Sequence, residues 1–200
     1  EATEFFDIIS TYVKEEGYMH VLYDICNEPS GVDWKDIKNY AAEILPVIES
    51  NDPGAIVIVG TANWSQQTYE ASLSPISAKD YDLGIMYSFH YSACNHADLL
   101  ANLKNALVSV PVFISAWSCS DYTYQPDKVC ETESNLLLNI ISKYGNVAVS
   151  WNYWAWAGET GIWKKCGNRK YKEGLTKTGE FITNLICSPV VVRILHAVKR

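Results

Sequence analysis

Apolar positions open the chain at helical spacing: Phe5, Phe6, Ile8, Ile9 and Val13 predict a helix over residues 2–15. Val21, Leu22, Tyr23 and Ile25 then form a short apolar run that stops on Asn27, Glu28 and Pro29. The run reads as a buried strand, and the proline forbids its continuation, so an amide and a carboxylate stand together at its C-terminal end. A second helix is predicted from about residue 33 to residue 50, with Trp34, Ile37, Tyr40, Ala41, Ile44, Val47 and Ile48 on one face; Asn51-Asp-Pro-Gly54 ends it. The β-branched run from Ala55 to Val59 is what a parallel strand buried on both faces requires, and Gly60-Thr-Ala-Asn-Trp64 is its far end.

The alternation continues. Residues 83–89 predict a strand ending in His90, residues 96–108 a helix, and residues 111–114 a strand ending at Ser115-Ala-Trp-Ser118. Residues 126–144 predict a helix, 146–151 a fifth strand and 174–186 a last helix. Short buried strands separated by amphipathic helices indicate an α/β fold with right-handed parallel crossovers. Polar and aromatic residues gather at the strand ends, which favours a (β/α)8 barrel of the TIM type, whose C-terminal rim carries the chemistry. The alternative is an open doubly wound sheet, but the chain has no glycine-rich phosphate loop to support one. Five strands make about five of eight strand-helix units, so the first part of the barrel is expected from upstream residues or from another chain. Residues 1–187 read as this partial barrel and residues 188–200 as a C-terminal tail or linker.

Charge and cysteine content narrow the function. The net charge of −7 argues against a nucleic-acid partner. No apolar run reaches the roughly 20 residues of a membrane span, and Glu1-Ala-Thr-Glu is no signal peptide. Six cysteines are too scattered for a zinc ribbon, and their even number fits a secreted protein with disulfides. The expected pairs are Cys119 with Cys130 and Cys166 with Cys187, with Cys26 a buried free thiol. Neither metal nor cofactor is expected. Asn63-Trp-Ser65 matches a glycosylation acceptor, although a rim position argues against that use.

Collected from the strand ends, the candidate site residues are Asn27, Glu28, Trp64, His90 with Tyr91, Trp117, and Trp151 or Trp154. An acid that protonates a glycosidic oxygen, an amide that holds a ring hydroxyl and indoles that stack on sugar faces suit a carbohydrate cleft. Retaining hydrolysis also needs a second carboxylate roughly 5–5.5 Å from the first. None stands among these residues, and Asp121 and Glu159, in the rim loops, are not expected to reproduce a nucleophile's geometry.

Five motifs carry a resemblance: Tyr-Asp-Ile-Cys-Asn-Glu-Pro (Tyr23 to Pro29), Ile-Val-Gly-Thr-Ala-Asn-Trp-Ser-Gln (Ile58 to Gln66), Tyr-Ser-Phe-His-Tyr (Tyr87 to Tyr91), Pro-Val-Phe-Ile-Ser-Ala-Trp (Pro111 to Trp117) and Ser-Trp-Asn-Tyr-Trp (Ser150 to Trp154). In order and spacing they resemble glycoside hydrolase family 5, the cellulase family. The resemblance implies an eightfold barrel of which this chain holds strands four to eight. It implies that Glu28 is the general acid/base, that Asn27 holds the 2-hydroxyl of the reacting sugar, and that His90 is the site histidine. It makes Trp154 the platform beneath the reacting ring and Trp64 an aromatic wall. Ala116 stands where the family's glutamate nucleophile is expected, Ser92 where a tyrosine is, and Ser118 where a glycine is. A methyl group cannot attack an anomeric carbon. The expected function is therefore a catalytically inactive, extracellular cellulase-like domain that binds a β-glucan or related polysaccharide or serves structural assembly. The alternatives are a secreted endo-β-1,4-glucanase carrying a nucleophile Glu→Ala change, and a purely structural module of an extracellular filament.

Overall fold

The computed structural model describes residues 1–121, 128–145, 147–149 and 175–186. The order of elements is α1 (Ala2–Glu15), β1 (Leu22–Asp24), α2 (Trp34–Asn51), β2 (Ile56–Val59), α3 (Ala62–Ser65), α4 (Thr68–Leu73), a 3-10 turn (Ala78–Asp80), β3 (Gly84–Ser92), α5 (Leu99–Ala106), β4 (Val112–Ser118), α6 (Glu131–Ile141), β5 (Val147–Val149) and α7 (Lys177–Ile186). The strands lie in the sheet in chain order, β1-β2-β3-β4-β5. β1 pairs parallel with β2 and β2 parallel with β3, with Asp24 opposite Ile58 and Ile58 opposite Met86. Each crossover therefore advances one strand in the same direction. A doubly wound sheet reverses its strand order at a switch point and this one does not, so the open-sheet alternative fails and the (β/α)8 type stands.

Two compact units divide the chain. The first holds residues 1–90, 101–114 and 146–148, and the second is built on residues 91–100 and 115–145. In the first, α2 starts where Asp33 Oδ1 accepts the Asp36 N–H at 2.9 Å, a side-chain cap for a helix whose Ile37, Ala41, Ile44, Leu45 and Ile48 are buried. Val57, Val59, Tyr87 and Phe89 complete that core. In the second, Leu137, Ile140 and Ile141 of α6 are buried together with Trp117 and Tyr91.

Several expectations are corrected. β1 is buried on one face only: Tyr23 and Ile25 are interior, whereas Leu22 and its register partner Ile56 are 42% and 40% exposed. Side chains alternate across a strand, so the face turned from α2 is left open. The helix after β3 starts later than predicted, because the Asn95 and His96 N–H groups turn back to the Ser92 carbonyl and delay the helical ladder. Residues 60–64, read only as the far end of a strand, and residues 65–82, given no element, contain α3, α4 and the 3-10 turn. Thr68 explains α4's seat, since its hydroxyl donates to the Ser88 carbonyl at 2.8 Å. The boundary at residues 187–188 lies outside the described residues.

Candidate active site

The end of β1 is held from three sides. Ile25 N–H donates to the Ile58 carbonyl at 3.1 Å, and the Tyr40 hydroxyl donates to the Ile25 carbonyl at 2.7 Å. Gly60 presses against the next residues: a Cβ there would lie 2.0 Å from the Cys26 carbonyl oxygen and 2.8 Å from Pro29 Cδ. Only glycine allows two backbones to approach so closely. Between those two contacts Glu28 takes φ +49°, a left-handed conformation that a non-glycine residue adopts at a cost.

That backbone aims the carboxylate at β3, where Glu28 Oε1 lies 2.7 Å from His90 Nδ1. His90 is buried while the Glu28 side chain stays partly open, so the imidazole is a fixed post and the carboxylate its oriented partner. An acid held by a histidine with part of its surface free is arranged for proton transfer to a bound group. Asp24 is a further carboxylate of this unit. Although it lies on the exposed side of β1, surrounding protein pushes its pKa up, against the pull of the Cys26 backbone N–H and of His90. Sequence reasoning passed over Asp24. Its signal was a lone acid in an otherwise apolar run.

Trp64 rises beside this site, 51% exposed. It sits in a turn where Asn63, Trp64 and Ser65 have φ of +53°, +57° and +58°. Left-handed backbone costs roughly 1–2 kcal/mol per residue, so three in succession are a concentrated strain. Ser65 adds to it, because its buried hydroxyl has no hydrogen-bond partner among the described residues. The Trp64 N–H donates to the Pro29 carbonyl at 3.1 Å, tying the turn to the residue after Glu28. Asn27 is exposed next to Glu28. Cys26 is a free, half-buried thiol, with burial first and Asp24 second pushing its pKa up.

In the second unit Ala116 lies on β4, half-buried. Tyr91 and Trp117 differ from the expectation of sugar contact: their side chains are 0% and 1% exposed. Tyr91 follows His90 on one strand, so the pleat turns it to the opposite face, where its hydroxyl donates to the Glu133 carbonyl at 3.2 Å. Ser92 is buried, its Oγ 2.7 Å from the Ser120 carbonyl oxygen. Asp121 is no spare acid either, being paired with Lys128 Nζ at 2.9 Å and accepting from Asn95 Nδ2 at 3.2 Å.

The disulfide expectation is corrected too. Cys130 bonds to Cys94, with Cα atoms 5.2 Å apart, and not to Cys119, which is buried. Two backbone bonds account for it: Ala93 N–H donates to the Ser118 carbonyl at 2.8 Å and Cys130 N–H to the Cys119 carbonyl at 2.9 Å, which together bring Cys94 within bridging range of Cys130. Trp151, Trp154, Glu159, Cys166 and Cys187 lie outside the described residues. Among the described residues no cluster of three metal-binding side chains occurs, and no helix is long and apolar enough to cross a membrane.

The chain has relatives among known proteins. Endoglucanase A of Evansella cellulosilytica is 43% identical over 128 residues, 62% of this chain and 25% of that protein. Endoglucanase E-5 of Thermobifida fusca is 40% identical over 130 residues, 58% of this chain and 27% of that protein. The chain thus spans about a quarter of the length of these curated relatives. Among solved structures, the cellulase Cel5C_n aligns with a TM-score of 0.81 at 29% identity, over 94% of this chain and 58% of that one. The catalytic domain of Thermobifida fusca endoglucanase Cel5A, as a Glu→Gln variant in complex with cellotetraose, aligns with a TM-score of 0.79 at 27% identity, over 94% of this chain and 63% of that one. The family model described as cellulase (glycosyl hydrolase family 5) matches residues 1–158, and the chain belongs to that family.

Proposed function

We propose that this chain is the β-glucan-facing part of a cellulase-family barrel in which Glu28 is the proton donor and the nucleophile is lost at Ala116. The observation that carries it is the Glu28–His90 pair, an acid oriented at 2.7 Å at a strand end beside the exposed indole of Trp64. In this reading Asn27 holds a ring hydroxyl, and Trp64, with Trp154, supplies stacking surface. Bound glycan is held and its glycosidic oxygen faces an acid, but nothing attacks the anomeric carbon. Loss of a nucleophile costs on the order of 10⁶ in turnover, so the outcome is glycan binding without useful hydrolysis. The remaining strands are supplied by upstream residues or another chain, which the open face at Leu22 and Ile56 supports. The Cys94–Cys130 disulfide supports a secreted protein.

The second reading is an endoglucanase disabled by a single Glu→Ala change, favoured by the names of the relatives. One experiment separates the two. The full-length protein is incubated with an aryl β-cellobioside and azide, which can attack the anomeric carbon in the missing carboxylate's place while the aryl oxide leaves. Accumulation of a glycosyl azide, altered by Glu28→Gln, identifies an otherwise intact hydrolase. Cellotetraose binding with no azide product leaves glycan binding as the function.

A further inference from the structure

The strained turn after β2 is out of proportion to any local benefit. Gly60 meets the Cys26 carbonyl closer than any side chain would allow, three consecutive residues are left-handed, and Ser65 buries a hydroxyl that finds no partner among the described residues. The three left-handed residues are not glycines, so the backbone is forced rather than relaxed. What this arrangement touches is the short segment Cys26 to Pro29. Gly60 is packed on its first and last residues, and the Trp64 N–H holds the Pro29 carbonyl at 3.1 Å. Glu28 lies between those contacts and is itself left-handed.

We propose that Gly60 and the main chain of Trp64 are positioning elements for Glu28, fixing from β2 the backbone that holds its carboxylate on His90. This rests on the reading of Glu28 as the site's proton donor, and it adds a division of labour within one turn. The Trp64 ring faces solvent and is free to take a sugar, while its N–H braces the acid. His90 is anchored in β3 and cannot follow a displaced carboxylate. A methyl group at position 60 must push the Cys26 carbonyl away, and a 2.7 Å contact does not survive a shift of an ångström.

The test reads the ring N–H of His90 by ¹⁵N-edited NMR in full-length protein labelled at histidine, with Glu28→Gln assigning the signal, alongside cellotetraose binding by calorimetry. Gly60→Ala is expected to lose the low-field His90 signal or speed its exchange at least tenfold, while melting stays cooperative. Trp64→Ala keeps the N–H, so it is expected to retain the His90 signal and lose cellotetraose affinity at least tenfold. If Gly60→Ala does not fold, the paired change Asn63→Gly with Ser65→Gly takes its place. Glycine takes φ below zero as readily as above it, so the change loosens the turn that carries the Trp64 N–H without adding bulk, and it is expected to speed the same exchange. An unchanged His90 signal in the folded Gly60 variant, or in the paired glycine variant, overturns the positioning role. Absence of cellotetraose binding in the unaltered protein overturns the glycan reading instead, and the NMR result then stands apart from it.

Discussion

His96 shows how one side chain makes the second unit sensitive to acid. Its Nδ1 accepts the Ser92 N–H at 3.0 Å, a bond that only the unprotonated nitrogen can make. Burial lowers its pKa, opposed by Asp98, and the ring rests edge-on against Tyr91. Above the ordinary histidine value near 6.5 both folded and unfolded chains carry it neutral, so it contributes no pH dependence there. As pH falls below that value the unfolded chain takes up the proton first, and stability declines until the folded histidine titrates too. Thermal melts between pH 7.5 and 5 should therefore show a loss on the acid side, and His96→Gln should flatten that part of the curve. If the variant's curve keeps the wild-type slope, other groups carry the acid sensitivity. The sequence showed His96 only as a residue of a predicted helix. Its role depends on a turn back to Ser92 that no periodicity reveals. Glu28 was legible for the opposite reason, since an apolar run cut short by proline puts a carboxylate at a strand end from local information alone.

Among the elements, the segment after β3 is joined to the start of α6 by the Cys94–Cys130 bridge across a sequence separation of 36. Closing a loop of that length removes unfolded-state entropy worth about 3–4 kcal/mol in the chain-entropy account. Cys94→Ser should lower stability by about that amount in denaturant melts without reducing agent, and dithiothreitol should lower the unaltered protein to the same level. Cys119→Ser should show no such equivalence, because the bridge joins Cys94 to Cys130 and leaves Cys119 out. Peptide mapping that found Cys119 joined to Cys130 would reverse the assignment. The pairing was beyond the sequence because bridges are chosen by Cα separation. That separation was set by the Ala93–Ser118 and Cys130–Cys119 backbone bonds, not by nearness along the chain. The elements themselves were largely readable: α1, α2, β2 and β4 follow from period 3.6 or from continuous β-branched runs. What escaped was α4, held by Thr68 on the Ser88 carbonyl, and the left-handed turn at Asn63–Ser65, held by packing against another strand end.

For the whole protein the proposed loss of the nucleophile at Ala116 is the point to test. Chain-order strands and the family match fix the type of barrel and the family, but a fold does not establish activity. If position 116 is the nucleophile's place, as proposed, and nothing else is lost, Ala116→Glu in the full-length protein should restore cellotetraose hydrolysis by several orders of magnitude, since a nucleophile's removal costs on the order of 10⁶. The restored activity should then disappear again on Glu28→Gln. If the site has drifted, the same change should leave turnover at background while cellotetraose still binds. Ser92 and Ser118 favour drift: the family resemblance expects tyrosine and glycine there, and both serines are buried in hydrogen bonds of the second unit, Ser118 Oγ lying 2.7 Å from Ser120 Oγ. A tyrosine placed at position 92 would have to displace that serine cluster, so rescue by Ala116→Glu together with Ser92→Tyr should be no greater than by Ala116→Glu alone. A synergistic gain from the pair would mean that the cluster yields easily and that the catalytic frame has been kept.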